Sequence, residues 1–368
     1  MTTTQPETVR AEAQTTNGKA GISVADPYAE VRITSLSATR GANYWSRSPI
    51  TRMDLVVGAY EDISSADVPG FTERLIEALP GLDEHRCSIG ERGGFITRLY
   101  RGTYVPHIVE HVALELQSMI GHDVGYGRSR GGDVEGEYTV TFEHRHEGVG
   151  CRAAALALDI VQHGLAGTLA GVTHAVAELE MLASTGNAPP LIARVTCGVT
   201  GGGGRAELRA ELASRIEDDA LIVDVSPSFL LQAGLPYGEA DMAVVLDAEL
   251  TDVPERYRDE ERARRLVSVV ADVVRRGGVV VCPAKAWEIQ DYARGLGCGV
   301  AIFSAHDDIT RRDRKVARSA AWVLDDQIVI EHHGRRATTE ALRSDVAPHV
   351  QAAAALAAFT HSRQRASA

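Results

Sequence analysis

The second half of the sequence alternates short apolar runs with longer segments of helical character. The apolar runs cover residues 191–199, 220–225, 242–247, 278–282 and 299–303. Helices are predicted between them at residues 206–216, 260–276 and 286–295. Alternation of this kind is typical of a mostly parallel sheet with helices on both faces. We therefore predict an α/β, Rossmann-like domain in this half.

The first half of the sequence does not alternate strictly. A strand is predicted to begin at Val31, and further strands to cover residues 53–60, 93–100 and 137–144, with helices at residues 71–79, 151–163 and 168–182. Strands and helices that interleave without a βαβ order predict an α+β domain. The turn and breaker residues STGNAPP (184–190) separate the two patterns.

These patterns divide the chain into four predicted parts. Residues 1–28 are rich in Thr, Gln, Glu and Ala without periodicity, which predicts a disordered tail. Residues 29–185 form the α+β domain and residues 191–345 the α/β domain. Residues 346–368 form an alanine-rich helix and a short tail.

The composition is that of an ordinary globular protein. The 368 residues are 44% hydrophobic and 24% charged, and the net charge of −12 argues against non-specific binding of nucleic acid. Five cysteines without a C-x-x-C pair are typical of reduced thiols in a cytoplasm. Since no apolar run is long enough to span a bilayer and no secretory signal is visible, no membrane association is expected.

Residues 104–117 carry two histidines and a glutamate in the order H-x-x-E-H. Pro106 suits a first helical turn and apolar residues recur at helical spacing, so His107 and His111 are predicted on one helix face. Two imidazoles so placed can bind one Zn²⁺, and Glu110 could take a proton from a metal-bound water. The other interpretation is a surface helix whose polar side carries these residues.

A glycine-rich turn, VTGGGGRAE (199–207), follows the first predicted strand of the α/β domain. Its place between a strand and a helix suits a phosphate-binding loop. Such a loop needs a lysine and a hydroxyl, whereas here Arg205 is followed by Ala206 and Glu207. Because Glu207 would repel phosphates, we expect no ATP at this turn.

Several segments of the first domain, in the same order, resemble the N-terminal domain of cyanophycin synthetases. They are RGANYWS (40–46), VPGF (68–71), LIEALP (75–80), GGF (93–95), HIVEHVALELQ (107–117), VGYGR (124–128) and GEY (136–138). In that family this domain resembles a metallopeptidase, thought to cut cyanophycin, an aspartate backbone carrying arginines, into primers. The resemblance therefore implies a zinc-dependent peptidase or amidase acting on cyanophycin or a related amino-acid polymer or conjugate.

The resemblance also bears on a third zinc ligand. Glu143, at the end of its predicted strand, matches a glutamate of the family pattern and could complete a His₂Glu site. Glu115, further along the histidine helix, is the rival, and His144 and His146 are further candidates. In this scheme Zn²⁺ polarises the scissile carbonyl while Glu110 takes the proton of the attacking water.

The second domain resembles, more weakly, the Mur-ligase-like domain of cyanophycin synthetases. The family loop V-T-G-T-N-G-K-T-T appears here as VTGGGGR (199–205), without its lysine and threonines. The ATP-grasp domain that the family carries between these two domains is absent from this sequence. The resemblance therefore implies an inactive ligase-like second domain and no ATP cofactor.

Two functions are compatible with these observations. The first is a zinc-dependent peptidase or amidohydrolase without ATP-dependent ligase activity. The second is a non-catalytic accessory or binding protein that partners a separate ATP-dependent amide ligase. In both cases we expect an amino-acid polymer or peptide-like partner, no nucleic acid and, by the family resemblance, a homo-oligomer.

Overall fold

The structure is a computed structural model that describes residues 25–187, 192–216 and 219–366. The predicted tail therefore lies almost wholly outside the described residues, as do positions 188–191 of the predicted domain boundary. Within the described ranges, no helix combines the length and the apolar composition needed to cross a bilayer.

Four antiparallel strands form the first sheet: β1 (Arg32–Ala38), β2 (Ile50–Val56), β3 (Gly127–Gly131) and β4 (Glu137–Glu143). The accompanying helices are α1 (Pro27–Glu30), α2 (Phe71–Ala78), α3 (Gly94–Arg101), α4 (Val105–Met119), α5 (Glu147–Leu165) and α6 (Thr173–Ala183). The strand order β1-β2-β4-β3 places β3 at an edge. Because alternate residues of β2 and β4 share one buried cluster with the helices, the predicted α+β class is confirmed.

The segment 93–100, predicted as a strand, is instead the helix α3. Gly93 precedes it with a φ of 74°, a left-handed conformation that glycine adopts without strain. Phe95 and Leu99 are both buried, and residues four apart lie on the same face of a helix. The strand prediction was wrong because aromatic and β-branched residues in a short segment also favour strands.

The helix α4 carries the H-x-x-E-H residues and packs against α5 and the sheet. Glu110 and His111 are each only 6% exposed. Ionisable side chains are rarely buried to this extent unless they are paired or bind a metal. The interpretation of this segment as a surface helix is therefore wrong.

Eight strands form the second sheet: β5 (Ile192–Thr200), β6 (Ile222–Asp224), β7 (Tyr237–Val245), β8 (Val274–Pro283), β9 (Gly299–Ser304), β10 (Ser319–Leu324), β11 (Gln327–His332) and β12 (Arg335–Ala341). The helices are α7 (Arg205–Arg215), α8 (Pro227–Ala233), α9 (Glu260–Ser268), α10 (Trp287–Gly295), α11 (Arg311–Val316) and α12 (Pro348–Arg365). The order is β12-β11-β10-β9-β8-β7-β5-β6. Strands β5 to β10 are parallel to their neighbours in this order. The pairs β10–β11 and β11–β12 are antiparallel.

Helices cover both faces of this second sheet, which confirms the predicted α/β class. Buried residues of α8, α9 and α10 share a cluster with one face, and those of α7 and α12 share a cluster with the other. The helix predicted at 260–276 is shorter than expected, because α9 ends at Ser268 and β8 already begins at Val274. The strands β10 to β12 were not predicted.

The segment between β1 and β2 joins the two sheets. Ala42 lies in the buried cluster of the second sheet, and its carbonyl oxygen accepts a hydrogen bond of 2.8 Å from the Leu235 amide. The Tyr44 ring packs edge-on against Tyr257, with ring centroids 5.2 Å apart. Residues 40–45 therefore form an anchoring segment between the two units.

Candidate metal-binding site

Three side chains could together hold one metal ion: Cys87, His107 and His111. Their ligand atoms all lie within 4.8 Å of one another. The Cys87 Sγ atom is 3.3 Å from the His107 Nε2 atom. Thiolate and imidazole are ligands that Zn²⁺ prefers in proteins, so the donor set fits that ion. We call these three residues the metal triad.

Two separate elements bring the metal triad together. His107 and His111 lie one turn apart on α4, as the sequence predicted, and Phe95 stacks on the His111 ring with centroids 3.9 Å apart. Cys87 opens the 3₁₀ turn Cys87–Ile89 with a φ of 52°. A non-glycine residue with positive φ is uncommon, and such residues concentrate at functional sites.

Further polar groups hold the two imidazole rings in place. Thr103 Oγ1 lies 2.8 Å from Nδ1 of His107. Nδ1 of His111 lies 2.8 Å from Nδ1 of His85, whose Nε2 lies 3.0 Å from Oε2 of Glu115. Partners of this kind fix the orientation of metal-binding histidines and raise their basicity.

Burial sets the protonation of the site. It lowers the pKa of His107 to about 4 and the pKa of His111 to about 2, with neighbouring positive charges adding to both shifts. Both rings are therefore neutral at pH 7, the form that binds metals. Burial raises the pKa of Glu110 to about 7, and its Oε2 atom has no hydrogen-bond partner among the described residues.

The structure does not bring Glu143 into the metal triad. Its carboxylate accepts hydrogen bonds from the backbone N–H groups of Gly125 and Tyr126 and from the Ser46 hydroxyl, at 3.2–3.3 Å. Its rival Glu115 contacts His85, which in turn lies beside His111. As a ligand of the ion, Glu143 stays a prediction from sequence.

The other histidine candidates also lie elsewhere. His144 is 2% exposed, with Nδ1 3.0 Å from Thr51 Oγ1, and His146 Nε2 lies 3.0 Å from the Gly186 carbonyl oxygen. Sequence reasoning missed Cys87, which had been counted only among dispersed thiols. Ligands from a turn and a helix share no fixed spacing, so no motif could have paired them.

A cleft of about 890 Å³ opens over the metal triad. Glu110, Arg86 and Arg128 are among its walls. Arg128, on the edge strand β3, also lines a neighbouring groove of about 250 Å³ together with Trp45 and Arg130. The cleft and the groove thus meet at one exposed arginine.

The glycine-rich turn of the second domain holds a carboxylate of its own chain. The Gly202 and Gly203 amides donate to Asp247 at 2.8 and 3.4 Å, and the Arg205 guanidinium donates to the Gly202 carbonyl and to Asp224. Asp247 follows β7, beside β5, where the strand order reverses direction and ligands of α/β sheets usually bind. The two amides of this turn therefore already have an acceptor within the same chain.

Comparison with known proteins bears on the first domain. Residues 52–166 match the family described as the Cyanophycin synthase-like N-terminal domain. The cyanophycin synthetase of Trichormus variabilis is 43% identical over 134 residues, which are 36% of this chain and 15% of that protein. That of Crocosphaera subtropica is 45% identical over 130 residues, 35% of this chain and 15% of that protein.

The first domain resembles the N-terminal domain of cyanophycin synthetases. The resemblance expected from the sequence is thus confirmed. The chain matches only about 15% of the length of these curated relatives.

Two solved ligases show distant likeness. The murein peptide ligase Mpl from Psychrobacter arcticus gives a TM-score of 0.33 at 12% identity, over 47% of this chain and 44% of that chain. MurF from Acinetobacter baumannii gives a TM-score of 0.30 at 12% identity, over 45% of this chain and 42% of that chain. Similarities of this size carry no argument about function.

The predicted activity needs correction. The sequence led us to expect a zinc-dependent peptidase or amidohydrolase, but the relatives that share the H-x-x-E-H domain are named cyanophycin synthetases. A synthetase forms bonds rather than hydrolysing them, so the hydrolase prediction is wrong. We also expected no ATP-dependent ligase activity. That expectation is contradicted by the same relatives, which are named synthetases.

Proposed function

We propose that the first domain binds an amino-acid polymer of the cyanophycin type and presents it for amide-bond ligation. The cyanophycin synthetases that share this domain are the reason for choosing the polymer. The observation that carries the proposal is the position of Arg128, where the cleft over the metal triad meets the neighbouring groove. Together they offer an extended chain a continuous path.

The edge strand β3 supplies the charge for this path. Arg128 and Arg130 are two residues apart, so their side chains leave the same face of the strand. Both are exposed, and neither has a carboxylate within 4.0 Å in the described part of the chain. Arginines without a carboxylate partner are well suited to bind carboxylates because the guanidinium can donate two parallel hydrogen bonds.

The cleft also offers a hydrogen-bond acceptor for the arginine groups of the polymer. Cyanophycin carries arginine side chains, and the Glu110 Oε2 atom is buried in the cleft wall without a partner among the described residues. A buried acceptor without a hydrogen bond costs free energy that a bound donor would recover. A guanidinium group of the polymer would provide such a donor.

We further propose that the ion of the metal triad is Zn²⁺. Two imidazoles and one thiolate leave a fourth position of a tetrahedral site open. The ion would supply positive charge at the floor of the cleft, where a carboxylate or carbonyl oxygen of the polymer can bind. The Cys87 thiol must stay reduced for this, in keeping with the cytoplasmic location expected from the cysteine pattern.

We also propose that the glycine-rich turn does not bind ATP in this chain. Asp247 already accepts hydrogen bonds from the amides that would hold a phosphate. Its negative charge would also repel the nucleotide. The proposal assigns polymer binding to the first domain.

The test is the affinity of the full chain for fluorescently labelled cyanophycin segments, measured by fluorescence anisotropy. The double variant Arg128→Ala/Arg130→Ala should weaken binding about tenfold or more for each arginine that contacts a carboxylate. Arg32→Ala is the matched control, since Arg32 is exposed on the opposite edge strand of the same sheet. Equal affinity of the double variant and the parent would refute the proposed path.

A further inference from the structure

A second basic cavity lies at the opposite end of the large sheet from the glycine-rich turn. Its volume is about 490 Å³. It sits at the amino ends of β8 and β10, beside β9, and the last turns of α12 form one wall. We call it the arginine cavity. It shares no lining residue with the cleft over the metal triad.

The arginine cavity concentrates positive charge on an acidic protein. Its titratable lining residues are Arg275, Arg276, Arg318, His332, His333 and Arg363. No carboxylate belongs to the described residues that line it, whereas the whole chain has a net charge of −12. Arg275 is paired with Asp241 at 2.6 Å, just outside the cavity.

Two of these arginines have no acidic partner. Arg276 and Arg318 are exposed, and in the described ranges no carboxylate lies within 4.0 Å of either. Arg363 lies in the last turn of α12, where a basic residue stabilises the carboxyl end of the helix whether or not a ligand is bound. The argument therefore rests on Arg276 and Arg318.

Neutral polar groups complete the cavity. The Ser319 hydroxyl is buried and lies 2.8 Å from Nδ1 of His332. The Gln364 side-chain amide donates to the Gly277 carbonyl oxygen and so holds this wall of the cavity in place. The Ser319 hydroxyl is the neutral group that could donate to a bound ligand.

The arginines are close enough to His332 to affect its ionisation. Burial lowers the pKa of His332, and the positive charges of its neighbours, Arg318 among them, lower it further. Like charges held together cost free energy unless an anion compensates them. The arrangement is thus more stable with a negatively charged ligand than without one.

We propose that the arginine cavity binds a small, multiply charged anion that carries phosphate or carboxylate groups. Guanidinium groups bind both kinds of oxyanion through pairs of parallel hydrogen bonds. The cavity has room for a small molecule rather than for a single ion only. It is independent of the polymer path and of the metal triad.

Isothermal titration calorimetry of the full chain at low ionic strength tests this proposal, with pyrophosphate and citrate as separate probes. The two titrations distinguish a phosphate-bearing ligand from a carboxylate-bearing one. The double variant Arg276→Gln/Arg318→Gln should weaken binding of the preferred probe about a hundredfold, about tenfold for each arginine. Both side chains are exposed, so the variant should fold; an unchanged thermal melting curve verifies this.

A charge-matched control separates a specific site from general attraction. Arg311→Gln/Arg312→Gln removes the same two charges from exposed positions of α11, outside the cavity, and should leave the affinity within about twofold of the parent. The proposal is overturned if neither probe binds, or if this control loses as much affinity as the cavity variant.

Discussion

The Cys87 Sγ atom lies 3.3 Å from the His107 Nε2 atom, although 20 positions separate the two residues in the sequence. The contact joins a turn with a positive φ to a helix whose two histidines are neutral at pH 7. The structure thus adds a thiol to the candidate ligands that the sequence led us to expect. This difference makes the site directly testable, since sulfur ligands have distinct metal preferences.

Replacing Cys87 should remove one ligand of the ion. Cys87→Ser is expected to lower Zn²⁺ affinity by more than the roughly 10- to 100-fold that loss of an outer hydrogen-bond partner costs. Competition with a zinc-binding dye measures the effect. With Co²⁺ in place of Zn²⁺, the parent should show a thiolate-to-metal charge-transfer band, and Cys87→Ser should lack it. Cys151→Ser is the control, because Cys151 is also half-buried and lies outside the triad.

The residues behind the rings should matter less than the ligands themselves. His85→Gln and Thr103→Val each remove a group 2.8 Å from a ring nitrogen of a triad histidine. We expect each to lower Zn²⁺ affinity about 10- to 100-fold while the cobalt charge-transfer band persists. A variant that loses the band would show that its residue binds the metal directly.

Removing the Asp247 carboxylate should loosen the glycine-rich turn. Asp247→Ala deprives the Gly202 and Gly203 amides of their acceptor and should lower the free energy of unfolding by about 1–3 kcal/mol. Urea denaturation measures this change, with Asp307→Ala as an exposed control. The unmodified protein should show no binding of Mg·ATP by calorimetry. Any Mg·ATP binding by this protein would contradict the proposal that the glycine-rich turn does not bind ATP.

The buried His144 should make stability depend on pH. Burial lowers its pKa from 6.5 to about 4, so between these values the unfolded chain takes up a proton that the folded chain refuses. Stability is therefore lost as the pH falls below 6.5, by about 2 kcal/mol at pH 5 from this group. In the metal-free protein, His144→Gln should reduce that loss, whereas His174→Gln, at an exposed position, should not.

Sequence patterns predicted the elements that depend on local periodicity. The first strand, the histidine helix and the alternating elements of the second domain could all be read from apolar spacing, because burial on one side imposes that spacing. Short segments are harder to predict from spacing. Residues 93–100 were predicted as a strand, but the structure has a helix there, with Phe95 and Leu99 on one face and both buried in the core. Tertiary packing decided between the two structures there.

The site was predictable only in part, for a related reason. His107, Glu110 and His111 share one helix, so their spacing reveals that they lie together. Cys87 and His85 come from a turn whose approach to that helix depends on the whole fold. The Glu143 carboxylate, likewise, accepts hydrogen bonds from the amides of Gly125 and Tyr126, contacts that its place at the end of β4 did not reveal.

The anchoring of residues 40–45 has a consequence for how the protein comes apart. Ala42 is buried among side chains of the large sheet, although the strands on either side of it belong to the small one. Melting of either sheet would withdraw or expose this segment and so leave apolar surface of the other open to water. The two halves should therefore lose their structure in one cooperative event on heating, not in two successive steps.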